Sequence, residues 1–196
     1  MTRKKILFYH PFFSDGGVEK TNLLIAEEFS KKNEIIFVSN FFSNKFNEDI
    51  NRIGIKKIKL NSQRTIFSFF ELSRVIKSLS PDLIFSVQMH ANVMMLLINF
   101  ILFYNKLRII CCERLSLQSY SKNFKGKIII FLSKILYKNA KKIICNSKDL
   151  SNEIIDLSKS NNVTYIYNPT LKRNFRKLAN KFKIKDKPFL NKKKKL

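Results

Sequence analysis

Apolar positions along the chain fall into short runs, and the stretches between them repeat apolar residues every three or four positions. The runs at 5–9, 34–39, 57–60, 82–87, 108–112, 142–145 and 163–167 predict strands, with a polar loop after the second. Residues 18–32, 65–79, 91–104, 125–138 and 148–157 predict helices. In the first of these, Val18, Leu24, Ile25, Ala26 and Phe29 form a buried stripe, while Glu19, Lys20, Glu27 and Glu28 take the water side. Leu79 closes the second helix because Ser80-Pro81 cannot continue it. Asp82-Leu83-Ile84-Phe85 is too apolar to be half solvated and reads as a central strand. Phe67, Phe69, Phe70 and Leu72, and the segment from Met94 to Phe103, read as core. Strands alternating with helices predict an α/β fold, a Rossmann-like parallel sheet with right-handed crossovers and helices on both faces. Ligands of such sheets gather at the carboxyl ends of the strands.

The pattern dissolves after Pro169, so residues 1–169 are expected to form one domain, and 170–196 a basic linker or the truncated start of another. The net charge of +24 is unevenly spread. Residues 1–121 carry 17 basic and 10 acidic side chains, and 122–196 carry 21 and 4. Part of the lysine content follows codon composition, since Lys, Ile, Asn and Phe, all favoured by A/T-rich codons, make up about half the chain. The second half should be drawn to an anionic surface. No array of arginines and aromatics and no module signature marks a nucleic-acid binder, so nucleic acid is not an expected partner of the fold read here. A basic α/β module for membranes or nucleic acid is the alternative. Cys111, Cys112 and Cys145 are too few and too irregularly spaced for a disulfide framework or a structural zinc site, which predicts a reducing, cytoplasmic setting. Arg3-Lys4-Lys5 precede too short an apolar run for a signal peptide. The longest apolar run, 93–104, is interrupted by Asn99 and falls short of the roughly 20 residues needed to span a bilayer.

Two of the four glycines, Gly16 and Gly17, stand where the first strand turns into the first helix. A strand that turns through glycines into a helix N-terminus brings backbone amides close to a phosphate with no side chain between them. A plain strand-to-helix turn has the same composition.

Gly16-Gly17-Val18-Glu19-Lys20 resembles the G-G-[VAI]-E-[RK] loop of family-4 glycosyltransferases, whose GT-B architecture sets two Rossmann-like domains around a cleft. Further segments align with that family in order: Pro81 to Phe85 with its "PD-I" strand, Ser86 to Asn92 with its S…AN segment, and Glu113-Arg114 with its "ER". Tyr137 to Ser147 resembles the segment that ends in a strand before a Ser, and Asn168-Pro169 the "N-P" that closes the N-terminal domain. The resemblance spans about residues 4–170. It implies the acceptor-side half of a transferase that moves a sugar from a nucleotide-sugar donor to a glycan or lipid-linked acceptor, with retention of anomeric configuration. No metal and no cofactor beyond the nucleotide-sugar co-substrate are implied. It also implies peripheral work at the inner face of the cytoplasmic membrane. The lysines between Lys122 and Lys142, without a single acid, and the apolar run from Ile128 to Leu132 suit such docking, as they suit a buried helix with a solvated outer face. The family's donor domain, with its paired glutamates, is not present in the sequence. Lys192 to Lys195 stand about where its first strand would begin, so a frameshifted or incomplete reading frame, inactive alone, is expected.

By this resemblance Gly16 and Gly17 hold the donor's diphosphate, where negative charge grows as the glycosidic bond breaks. Glu19 is a substrate contact or a first-turn acid that favours the helix dipole. His90, after the fourth strand, is a catalytic group near the transferred sugar, or a surface or capping histidine. Glu113 and Arg114 point into the cleft to bind sugar hydroxyls and phosphate, or form a local salt bridge. Asn146 and Ser147 are substrate contacts, Ser147 also being a helix cap.

Overall fold

In the computed structural model, which describes residues 3–169, the chain enters through strand β1 (Lys5–Tyr9) and a two-residue strand β2 (Phe12–Phe13). Helix α1 (Gly17–Ser30), strand β3 (Glu34–Ser39), the short strand β4 (Phe41–Phe42), helix α2 (Asn47–Ile53) and strand β5 (Lys56–Lys59) follow. A 3-10 turn at Thr65–Ser68 leads into helix α3 (Phe69–Leu79), strand β6 (Leu83–Val87), helix α4 (Met89–Leu102) and strand β7 (Ile109–Glu113). Helices α5 (Leu117–Ser121) and α6 (Phe124–Leu136), strand β8 (Lys142–Cys145), helix α7 (Lys148–Ser158) and strand β9 (Val163–Tyr165) complete the described fold. The linker expected over 170–196 lies outside the described residues.

Seven strands form one sheet in the order β5-β3-β1-β6-β7-β8-β9, every adjacent pair parallel. The chain winds outward from β1 through β3 to β5, returns by α3 to β6, and winds outward the other way. The reversal leaves a crevice beyond the carboxyl ends of β1 and β6, the topological switch point at which doubly wound sheets bind ligands. The Rossmann-like parallel α/β fold expected from the sequence is the fold observed.

Strand alternation divides the core in two. Leu7, Tyr9, Val38, Ile84, Cys111 and Ile143 face α3, α4, α6 and α7, whereas Ile6, Phe8, Phe37, Phe85 and Cys112 face α1 and α2. From Ile6 onward both faces of β1 are buried, which explains the apolar run from Ile6 to Tyr9.

Four local expectations need correction. The loop after β3 contains β4 and α2, because Phe46 and Ile50, with Ile55 just beyond them, bury a sparse apolar set against the α1–α2 face. The expected helix 65–79 begins as a 3-10 turn, and Ile66, Phe67 and Phe70 are exposed, so Phe67 and Phe70 are not core. At the end of α4, Phe100, Ile101 and Leu102 also face solvent. Strand β7 runs one residue past Cys112 and takes in Glu113.

The corner between α5 and α6 depends on Gly126. A Cβ there would lie 1.7 Å from the carbonyl oxygen of Tyr120, too close for any other residue. Asn123 caps α6 by accepting from the Gly126 amide at 2.7 Å.

Candidate functional site at the switch point

Beyond Tyr9 the chain passes through His10-Pro11 and pairs β2 with β4, Phe12 opposite Phe41 and Phe13 opposite Phe42. Phe13 is buried, while Phe12 and Phe41 turn their rings outward. The hydroxyl of Ser39 accepts from the amide of Phe13 at 3.3 Å and lies 3.0 Å from the carbonyl of Pro11, which fixes the small sheet to the end of β3. The chain then turns through Ser14-Asp15-Gly16-Gly17 into α1, with Gly16 in an extended N-cap conformation and, among the described residues, no side chain capping the helix. Its first amides are thus left for another partner. Lys45 donates to the carbonyl of Asp15 at 3.0 Å, and the Ser43 hydroxyl bonds the Asp15 carboxylate, so the turn is held from the β4 side as well.

Glu19 is one of the surprises of this turn. The sequence pattern puts it on the water side of α1, yet it is buried. Its Oε1 accepts from both the amide (3.2 Å) and the hydroxyl (2.8 Å) of Ser14. On its other side lies His10, with Nε2 3.9 Å from that same oxygen. His10 is only 3% exposed, packs edge-on against Phe13, and neither ring nitrogen finds a hydrogen-bonding partner of standard geometry among the described residues. Burial pulls its pKa down to about 4, against the opposing pull of the Glu19 carboxylate and the Phe12 backbone; nearby His90 and Arg114 push it further down. The ring is therefore neutral at pH 7. His10 was not among the sequence candidates; the signal for it is a polar His-Pro pair directly after an apolar central strand.

His90 is the second residue of α4, at the carboxyl end of β6, and burial lowers its pKa also. It is delivered there by Gln88, whose backbone at φ 79°, ψ 144° lies in a region that favours glycine. Arg114 leaves the end of β7; its Nη1 donates to Asn168 Oδ1 while its Nε is buried with no partner among the described residues. Its carbonyl accepts from Asn146 Nδ2 at 3.3 Å. The hydroxyl of Ser147 accepts from the Leu150 amide at 3.2 Å, capping α7. Glu19, His10, His90 and Arg114 thus share one electrostatic neighbourhood, with Gly16 and Gly17 attached through Glu19 and Asn146 through Arg114.

Glu113 is placed differently from the expectation that it points into the cleft beside Arg114. As the last residue of β7 it follows the alternation of Ile109 and Cys111 into the α4–α6 face, and no part of it is exposed. Asn92 Nδ2 donates to its Oε1 at 2.5 Å and Tyr137 donates its phenol proton to the same oxygen. Burial raises its pKa to about 7, with Tyr137, Asn92 and Arg114 pulling the other way. The three cysteines are buried free thiols, and burial pushes Cys112 and Cys145 up to about 12, so none is a thiolate at pH 7.

Two cavities open beside the glycine turn. One of about 610 Å³ is lined by Ser14, Asp15, Gly16, Phe41, Phe42, Ser43 and Asn44. The other, about 590 Å³, adjoins it across Phe41 and is lined by Phe12, Asn40, Lys59, Leu60, Asn61 and Gln63 as well. Both lie toward β3 and β5, so His90 and Arg114 form the opposite bank of the crevice. Among the described residues no group of His, Cys, Asp or Glu is placed to hold a metal ion.

A doubly wound lobe with an uncapped glycine turn at its switch point belongs to the class of Rossmann-like halves found in GT-B enzymes. Residues 15–170 match the model of Glycosyltransferase Family 4, and the chain belongs to that family. No curated protein matches it. Among solved structures, Anabaena Alr3699/HepE in complex with UDP-glucose superposes with a TM-score of 0.65 at 16% identity, over 91% of this chain and 50% of that one. The lipopolysaccharide outer core galactosyltransferase WaaB gives 0.60 at 17% identity, over 85% and 46%. A UDP-N-acetylglucosamine 2-epimerase from Listeria monocytogenes, its assignment itself provisional, gives 0.59 at 12% identity, over 83% and 45%. The chain spans about half the length of the solved structures it matches. At these identities the superpositions establish the fold alone.

Proposed function

We propose that this chain is the acceptor-side half of a retaining glycosyltransferase that moves a sugar from a nucleotide diphosphate to an acceptor. The observation that carries the reading is the uncapped start of α1 at Gly16-Gly17, opening onto the switch-point crevice in a chain of this family. In the reaction the bond between the anomeric carbon and the donor's phosphate oxygen breaks, a bond from the acceptor's hydroxyl oxygen to that carbon forms, and the hydroxyl proton passes to the departing phosphate. The departing diphosphate gains negative charge, which fixed backbone amides and the Arg114 guanidinium stabilise without reorganisation. His90 contacts the transferred sugar, while Asn146 helps hold Arg114 in place. The donor is a uridine diphosphate sugar, by analogy with HepE.

The acceptor we favour is lipid-linked, taken from an anionic membrane surface. On α6, Phe124, Ile128, Phe131 and Ile135 are exposed at spacings of four, three and four, among Lys125, Lys127, Lys134 and Lys138. From residue 83 to 148 the sole carboxylate is Glu113, which is internal. Large apolar side chains among lysines that form no ion pair among the described residues suit the headgroup boundary of an anionic bilayer. No described helix is long and apolar enough to cross one.

Amide spectra recorded with UDP-glucose test the first part. Weak binding that shifts Gly16 and Gly17 is expected, and saturation that leaves both unmoved overturns the reading. Turnover of UDP-sugars by this chain alone is expected to be absent. Co-sedimentation with phosphatidylglycerol vesicles but not phosphatidylcholine vesicles, lost in Phe124→Ser/Phe131→Ser, tests the membrane part.

A further inference from the structure

The two glycines of the turn meet different surroundings. A Cβ on Gly17 would meet nothing within 4 Å. A Cβ on Gly16 would lie 2.6 Å from Oε2 of Glu19, whose other oxygen already holds the amide and hydroxyl of Ser14. The carboxylate is therefore wrapped back around the turn it follows, filling the volume of the missing side chain with one oxygen and binding the near strand of the loop with the other. His10 stands behind it and supplies no hydrogen bond, so the position of the carboxylate is set by Ser14 and by the absence of a Cβ at Gly16.

We propose that Glu19 is a positioning residue, a clasp that fixes Ser14 to Gly17 so that the amides at the start of α1 face the crevice. Gly16 is glycine because the clasp occupies its side-chain space. The spacing G-G-x-E is then one mechanical unit: the carboxylate sits one helical turn past Gly16 because only from there does it fold back over the glycine. Gly17 belongs to the ligand side instead, since what its missing Cβ leaves open is the approach to the helix start. That last assignment rests on the transferase reading; the clasp does not.

The test is amide hydrogen exchange on the whole chain, with the Ile36 amide in the sheet as internal reference. The Ser14 amide also donates to the Phe12 carbonyl at 3.0 Å, so Glu19→Ala is expected to speed exchange at Ser14 by roughly two- to fivefold while leaving Ile36 unchanged. Glu19→Gln keeps an acceptor oxygen and is expected to retain most of the protection. Gly16→Ala puts a Cβ 2.6 Å from Oε2 and makes the carboxylate shift, so it should move Ser14 exchange toward the Glu19→Ala pattern, and the double variant should exchange no faster than Glu19→Ala alone. Unchanged Ser14 exchange in Glu19→Ala overturns the clasp, as do multiplicative effects of the two substitutions or a Glu19→Gln as fast as Glu19→Ala. No ligand enters the measurement, so its failure removes the clasp alone, whereas failure of the UDP-glucose titration removes the transferase reading alone.

Discussion

The two banks of the switch-point crevice each bury a glutamate, and they use it in opposite ways. On the β1 bank, Glu19 sits in the first turn of a helix that follows a loop, and it reaches back to the loop. On the β7 bank, Glu113 ends a strand and is carried by alternation beneath α4, where Asn92 and Tyr137 close around it. The first keeps company with cavities open to solvent; the second is sealed among Cys111, Tyr137 and the rest of the larger core. A carboxylate near the carboxyl edge of a sheet is thus not by itself a ligand group. Its place relative to the last strand residue decides whether it faces the crevice or the interior.

The sharpest way to break this contrast is Glu113→Ala. It leaves the Tyr137 phenol without its acceptor and the Asn92 amide with only the Cys112 carbonyl at 3.3 Å, both of them buried, and urea denaturation should report a loss of about 3 kcal/mol. Glu113→Gln, which keeps an acceptor, should lose clearly less. Next in size is the pH response. The folded pKa of Glu113 is raised from 4.5 to about 7, so its contribution is fully present below 4.5 and is lost as pH rises to 7. That of His10 is lowered from 6.5 to about 4, so its contribution is fully present above 6.5 and is lost as pH falls to 4. The two oppose each other across one window, and denaturation profiles should separate them. Glu113→Gln is expected to leave a stability that rises with pH between 4 and 6.5, and His10→Gln one that falls between 4.5 and 7.

A smaller effect is expected at Gln88, on the β6 side of the crevice. Gln88→Gly relieves a backbone conformation that a side chain disfavours and should raise stability by about 1 kcal/mol, read from the urea midpoint. The smallest belongs to Gly17, where alanine meets nothing. Gly17→Ala should gain about 0.5 kcal/mol in thermal unfolding through helix propensity while weakening the UDP-glucose response.

Most of the sheet was legible in the sequence because its strands are central, apolar on both faces and bounded by helices with clear stripes. What escaped was decided by small numbers of residues. Helix α2 has few apolar positions in seven residues, too few for periodicity to register. Phe67 and Phe70 look like core by composition, but a 3-10 turn rotates the start of the helix and carries both outward. Local motifs single out Gly16, Gly17, Glu19, His90 and Arg114, and these residues lie at the carboxyl ends of β1, β6 and β7. The burial of Glu19 could not be read, since it depends on a side chain folding back over a glycine. His10 was hidden because a lone histidine after a strand carries no periodic signal, and Glu113 because one residue of strand length reverses its direction.

That reversal has a bearing on how β7 can change over time. Along Ile109–Glu113, each position alternates between two incompatible settings, and Arg114 follows directly. Losing a single codon within those five would move the guanidinium into the lodging of the carboxylate, stranding a permanent cation where a phenol waits to donate, and gaining one would leave a thiol there and turn the carboxylate outward. Point substitutions here can be graded in severity; a one-codon indel cannot, and surviving homologues should carry their length changes in the turns on either side.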